Sequence, residues 1–455
     1  MKSSCCLFLL IVLTSFAGRC CAQEKDPIAI DQAIEKVAKP GFAFANMSPF
    51  KLQTYYRLTS LHYHGKYEYK ESHQEAWLGC LNDENQNMYA RLCAAYFLLD
   101  SNKQARDFVL AQIESDNLRH RYNAAEVVRM YVGRDTKNEW GIEVLVNMLA
   151  DGSLDGSGVK SSPPGDYPLG DCHDIMVTPL DSICWNLGFM KEQSAVPALI
   201  SVLQRRPATS GAAFALGEIG DPKGIPALMK VLEDNTGYED REVIAIGKLK
   251  HKPAVPLLIA RLGNPRTKFG GMDVTETEKI LTALLLISDQ RAIEPIENYI
   301  AEDSHPDRSK ATARRVLVQL KSDDPVAALL ELLETESYEP ERSDIVFDLA
   351  KFPEPRVIER LSNMAKTSDS AFMRREAIFA LTQIKSRESL LVLASLLESS
   401  WPEDLKAEWG WKLIPDFQVY FPETLQGCLK RCTEQDFGDD QSKWIDWIEK
   451  NAKSE

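Results

Sequence analysis

One apolar motif returns along most of this chain at intervals near 32 residues, and this recurrence constrains the fold more than any other feature. It reads SAVPALISVLQ at 194–204, KGIPALMKVLE at 223–233 and PAVPLLIARLG at 253–263, with looser copies at 291–301, 324–334, 356–366 and 388–398. The leading anchors are Val196, Ile225, Val255, Ile293, Val326, Ile358 and Leu390, spaced 29, 30, 38, 33, 32 and 32 residues. A second anchor lies three residues on: Leu199, Leu228, Leu258, Ile296, Leu329, Leu361 and Leu393. Further apolar residues follow six or seven after the first, as at Val202/Leu203. That is the stripe of an amphipathic helix and not the alternation of a strand.

Each copy follows another helical run, marked by Leu216, Ile246, Leu284, Leu317, Leu349 and Leu381. The intervals of the two series agree from 216 onward, including the irregular 38, which a Gly/Pro-containing insertion near 263–272 explains. Earlier segments repeat the plan less regularly at 88–114, with a turn at 100–102, at 122–152 and at 176–204. A single helix pair cannot bury its apolar face, so the pairs must stack and share one core. The length of 455 residues requires this or several domains, because one ordinary core does not grow so large.

The segment AFALGEIGDPKGIPALMKVLED at 213–234 resembles a HEAT repeat of the short PBS-lyase type. In such repeats Ala and Gly on the first helix admit close approach of a neighbour. A Gly-Asp-Pro turn ends one helix, and Pro is tolerated at the next helix start, where its missing N–H would be unpaired anyway. Gly220, Asp221 and Pro222 supply that turn. The resemblance implies an all-α fold, an α-solenoid in which HEAT-like helix pairs form a superhelix. It also implies relatives that attach bilin chromophores to proteins, but no catalytic residue of that family maps onto this chain.

The expected organisation is a signal peptide at 1–22, an N-terminal segment and cap at 23–75, and irregular repeats at 76–150. A Gly/Ser/Pro-rich loop at 151–175, repeats at 176–399 and an aromatic-rich helical cap at 400–455 complete it. Lys2, the apolar run Leu7–Phe16 and the small residues Cys20 and Ala22 read as a secretory leader cleaved after Ala22, hence a secreted or periplasmic protein. The alternative is lipidation at Cys20 or Cys21, which the preceding Arg19 and Cys20 disfavour because a small residue belongs there. No later segment reaches 18 uninterrupted apolar residues, so no transmembrane segment is expected.

Export sets how the cysteines are read. Cleavage would leave Cys80, Cys93, Cys172, Cys184, Cys428 and Cys432. Three disulfides are then possible, most simply 80/93, 172/184 and 428/432; the alternative is reduced thiols buried as small hydrophobes. The formal charge of −14, from 53 Lys and Arg against 67 Asp and Glu, makes a poor non-specific binder of nucleic acid, so no nucleic-acid partner is expected.

Several residue groups could carry chemistry. Asp151, Ser153, Asp155 and Gly156 occupy the first, third, fifth and sixth positions of a calcium loop, but Ser162 stands where the bidentate carboxylate belongs. Calcium is the one cofactor the chain suggests; a flexible polar loop is the alternative. Asp171-Cys172-His173-Asp174 has metal-binding residue types without a second cluster, and His62, His64 and His73 lie among tyrosines. Acids fall on the second helices of adjacent repeats, at Glu294, Glu297, Glu302 and Asp303 and again at Glu331, Glu334 and Glu336. They make either one negative groove for a basic partner or a solvated helix face. Trp401, Trp409, Trp411, Phe417, Tyr420, Phe421, Trp444 and Trp447 cluster near the end, as a carbohydrate platform or as the cap an open repeat stack requires. The sequence lacks the Gly-x-Ser-x-Gly, His-Glu-x-x-His, phosphate-loop and dinucleotide motifs. The expected function is a scaffold that binds a protein partner along its second helices, without catalysis of its own. The alternatives are an enzyme or enzyme subunit, lyase-like or metal-dependent, and a carbohydrate binder.

Overall fold

The computed structural model describes residues 74–84, 88–134, 138–155, 179–234, 236–237, 240–262, 274–398, 413–414, 419–420 and 425–452. The signal peptide, His62, His64, His73, the insertion near 263–272 and the cluster at 171–174 lie outside them. The chain divides into two compact units, Met1–His251 and Lys252–Glu455.

The first unit is built of helices packed in pairs. After α1 (Gln74–Asn82) come α2 (Met88–Leu98) with α3 (Lys103–Ile113), and α4 (Leu118–Arg134) with α5 (Glu139–Asp151). Then α6 (Pro179–Phe189) pairs with α7 (Val196–Arg205), α8 (Ser210–Ile219) with α9 (Ile225–Glu233), and α10 (Arg241–Lys248) ends the unit. The first helices α2, α4, α6, α8 and α10 touch in succession, and the second helices α5, α7 and α9 do likewise. The expected turn at 100–102 is present: the Asn102 side chain caps α3 by accepting from the Ala105 N–H at 3.1 Å.

Small residues set the spacing of the first-helix row. A Cβ added at Gly188 on α6 would lie 2.7 Å from the Ala215 Cα on α8, and one at Gly217 on α8 would lie 2.7 Å from the Ala245 Cα on α10. Side chains are absent there because backbone already occupies the space.

The turn between paired helices is a recurring device. A residue with positive φ ends the first helix: Lys191, Gly220, Lys250 and Ser288. A short 3-10 turn follows, at 193–195, 222–224, 252–254 and 290–292, and runs into the second helix. In three of these turns an acid caps the N–H two residues on: Glu192 to Ser194 at 3.0 Å, Asp221 to Lys223 at 2.9 Å and Asp289 to Arg291 at 3.0 Å. Only Gly220 takes its left-handed conformation without a Cβ penalty.

The second unit continues the plan. It holds α11 (Val255–Leu262), α12 (Val274–Ile287) with α13 (Ile293–Ala301), and α14 (Asp307–Lys321) with α15 (Pro325–Thr335). The pairs α16 (Glu339–Leu349) with α17 (Pro355–Thr367) and α18 (Ala371–Ile384) with α19 (Arg387–Ser395) follow. The motif anchors are the core: all seven second anchors, from Leu199 to Leu393, are fully buried, as are Leu216, Ile246, Leu284, Leu349 and Leu381. Burial of a leucine-sized side chain is worth about 1.5–3 kcal/mol, so the repeat holds itself together through these positions. The expected all-α solenoid architecture is present.

The end of the second unit is formed by α20 (Leu425–Thr433) and α21 (Gln441–Asn451), which pack on α19. Trp444 is fully buried, stacks edge-on against Phe437 at 4.9 Å and donates from Nε1 to the Gly438 carbonyl at 2.9 Å. These contacts fit the cap reading of that ring. Among the described residues, strand pairing is confined to β1 (Leu413–Ile414) against β2 (Val419–Tyr420), antiparallel, in a region expected to be helical. The rings of Trp401, Trp409, Trp411, Phe417, Tyr420 and Phe421 lie outside the described residues.

Candidate interaction surface

Two second helices of the second unit, α15 and α17, flank an open groove of about 690 Å³. Its walls carry Glu331 and Glu334 from α15 and Arg356, Glu359, Arg360 and Lys366 from α17, with Leu330, Ser362 and Asn363 between them. Of the acids the sequence singles out, Glu331 and Glu334, neighbours on α15, line this groove, which is not uniformly negative. Three cations, Arg356, Arg360 and Lys366, share it.

Three of these six charges, Glu334, Arg356 and Arg360, are already paired. Arg360 meets Glu334 at 2.7 Å. Arg356 forks onto both carboxylate oxygens of Asp324 at 2.7 Å and also reaches Glu354 at 2.7 Å. The Arg356 guanidinium, together with the Ala327 N–H that Asp324 caps, holds the Asp324 carboxyl down at about 2. Glu331, Glu359 and Lys366 are exposed and have no ion-pair partner among the described residues.

The remaining predicted acids lie elsewhere. Glu297 on α13 pairs with Lys321 at 2.8 Å, and Glu294 is exposed in the first turn of the same helix. Glu302 accepts from the Ser304 hydroxyl at 2.9 Å and faces His305 at 3.2 Å. Glu336 accepts from the Ser337 and Tyr338 N–H groups, both at 2.9 Å, and so shapes the start of α16 instead of lining the groove. Tyr338 is the large exposed ring among the described residues, at 57% exposure.

The opposite row holds a charge cluster that no sequence motif announces. Glu278 on α12, Arg308 and Arg315 on α14, and Glu341, Asp344 and Asp348 on α16 converge. Arg308 meets Glu278 at 3.0 Å, and Arg315 lies 3.4 Å from Asp348 and 3.7 Å from Asp344. Asp348 also pairs with Lys351 at 2.6 Å and accepts from Gln319 at 3.1 Å. Four carboxylates thus share three cations. Burial, followed by Asp344, pushes the Glu341 carboxyl up to about 7, and burial also raises Glu278.

The calcium-loop residues are engaged otherwise. Asp151 accepts from the Ser153 N–H at 2.8 Å. The Ser153 carbonyl takes Arg121 at 2.8 Å, and the Asp155 carbonyl takes Arg206 at 2.7 Å. The Asp155 carboxylate pairs with Arg205 at 2.5 Å, and Arg205 also donates to the Leu149 carbonyl at 2.7 Å. Arg121 and Arg206 thus take backbone carbonyls of this segment, and Arg205 takes one carboxylate oxygen of Asp155. His173, Asp174 and Cys172 lie outside the described residues, and among those described no group of three His, Cys, Asp or Glu could hold a metal ion.

Cys80 on α1 and Cys93 on α2 are buried where those helices meet, Cys184 is fully buried on α6, and Cys428 is fully buried on α20. Cys432, one turn beyond Cys428, donates to the Thr382 carbonyl at 3.5 Å. Burial pushes the Cys80 thiol up to about 12 and raises Cys184 well above its ordinary value, so both stay protonated and chemically quiet. Among the described residues no helix is long and apolar enough to cross a membrane.

Two family profiles match parts of the chain. A profile of HEAT repeats matches residues 326–413, and one of the PBS lyase HEAT-like repeat matches residues 210–234. No curated protein matches the chain. Solved structures similar to it include the complex of CpcE and CpcF of phycocyanin lyase from Nostoc sp. PCC7120, at 20% identity and a TM-score of 0.33, over 63% of this chain and 91% of that one. Human deoxyhypusine hydroxylase in complex with glycerol matches at 14% identity and a TM-score of 0.24, over 58% and 91%. Importin beta matches at 10% identity and a TM-score of 0.34, over 92% and 64%. Stacked helix pairs, a recurring capped turn and both profiles on one chain show that it carries HEAT repeats at 326–413 and a repeat of the PBS lyase HEAT-like type at 210–234.

Proposed function

We propose that this chain is an exported scaffold that binds a protein partner through the groove between α15 and α17, with no reaction of its own. One observation carries the reading: in a groove of about 690 Å³, Glu331, Glu359 and Lys366 are exposed without ion-pair partners among the described residues, while the adjacent arginines are held in pairs. The helices fix the backbone from which these charges extend, so a complementary partner gains Coulomb energy against the ordering cost of the exposed side chains. The signal-like leader supports export, since such segments direct secretion.

The test is capture from the exported fraction with the chain as bait. The expected result is a stoichiometric protein that the unmodified chain retains and the double variant Glu331→Lys/Glu359→Lys loses. Two reversed charges should weaken binding about tenfold or more, because like-charge juxtaposition at an interface costs several kcal/mol. Both residues are exposed, so circular dichroism and Tm should be unchanged. Equal capture by both proteins would remove the groove from the account.

A further inference from the structure

The open charges of the groove have a geometry that selects the occupant. Glu359 and Lys366 are seven residues apart on α17, which is two helical turns, so they share a face about 10 Å apart. Ser362 and Asn363 lie between them, and Glu331 adds a second open acid from the facing helix. Arg356 and Arg360 are neutralised by Asp324, Glu354 and Glu334. What remains is two-signed: acid toward the start of α17 and a cation at its last turn.

A polyproline-II segment advances about 3.1 Å per residue with three residues per turn, so side chains three residues apart share a face about 9 Å apart. We propose that the groove takes a protein segment in this conformation carrying a Lys or Arg and an Asp or Glu three residues apart, the base meeting Glu359 and Glu331 and the acid meeting Lys366. A segment with bases at both positions would set one of them against Lys366, and a segment with acids at both would set one against Glu359. The groove therefore discriminates by the sign pattern and not by net charge. This inference rests on the scaffold reading and names the chemistry of its partner.

The experiment uses the full chain and three labelled Gly/Ser-flanked peptides, Arg-x-x-Glu, Arg-x-x-Arg and Glu-x-x-Glu, with binding followed by fluorescence anisotropy at low salt. The Arg-x-x-Glu peptide should bind about fivefold tighter than Arg-x-x-Arg, the effect of one exposed ion pair exchanged for a like-charge contact. Lys366→Glu should invert that order, and its exposed position leaves the helix content intact by circular dichroism. Equal or tighter binding of Arg-x-x-Arg to the unmodified chain, no inversion in the variant, or no binding of any peptide would each overturn the proposal. The scaffold reading fails separately, when no exported protein depends on Glu331 and Glu359 for capture. A partner lost on reversing those acids but unaffected by Lys366→Glu keeps the scaffold and removes the two-signed recognition.

Discussion

Gly217→Val should destabilise the first unit by about 3 kcal/mol, at the upper end of what overpacking costs. The reason is local and steric. An added Cβ at Gly217 meets the Ala245 Cα at 2.7 Å and its Cβ at 2.9 Å, and a backbone atom cannot rotate aside as a flexible side chain can. The variant can be accommodated only by moving α10 away from α8, which loosens contacts along the whole row. Gly188 makes the same approach to Ala215 one repeat earlier, so Gly188→Val should act alike. The control is Gly79→Ala, where a Cβ meets nothing within 4 Å. There the gain in helix propensity, up to about 1 kcal/mol, should leave the protein equal or more stable. Urea denaturation of the three variants is the measurement. An unchanged midpoint for Gly217→Val would mean that α8 and α10 are not in backbone contact.

Glu341→Gln should stabilise the protein at pH 8 and leave it nearly unchanged at pH 4. The side chain is only 4% exposed, and its neighbours are Asp344 on its own helix, Arg308 and Arg315 on α14 and Glu278 on α12. Ser343, on the same helix, donates to the buried Glu376 of α18 at 2.6 Å, with Arg375 near that carboxylate at 3.8 Å. Burial lifts the Glu341 carboxyl from 4.5 to about 7 in the folded protein. A folded-state value above the unfolded one means the contribution is complete below about pH 4.5 and is lost as pH rises through about 7. The loss is of the order of 2–3 kcal/mol for the ionised group, which glutamine cannot incur. Thermal scans should show a Tm gain of roughly 5 °C at pH 8 that disappears at pH 4. A variant less stable than the parent at pH 8 would show that the ionised carboxylate holds this row together.

The repeat was legible because its signal is local. An apolar residue every three or four positions marks a helix, and its return every 29–38 residues marks the stack, so all seven second anchors are core residues, while Ile225, Ile293 and Leu317 are half-buried. Gly220-Asp221-Pro222 announced its turn, but the equivalent turns begin at Lys191, Lys250 and Ser288, whose residue types give no hint of a left-handed backbone. The groove was half legible. Its acids stood out on the second helices, whereas the cations that neutralise them come from other repeats: Asp324 pairs with Arg356, Glu334 with Arg360 and Glu297 with Lys321. A scan along one helix sees only one side of each pair. The Glu341 cluster was hidden for the same reason, since its members come from three first helices and carry no motif. The calcium-loop pattern is a string of oxygens, and one of its carboxylates, Asp155, pairs with Arg205, 50 residues on, which the string does not contain.

Cross-linking the chain to its captured partner, followed by mass spectrometric mapping, tests the scaffold account most directly. An amine-to-carboxylate reagent should place bridges at Glu331, Glu359 and Lys366, with flanking yields falling away from α15 and α17. Bridges confined to the first-helix row or to the first unit, with those three residues unmodified, would contradict it.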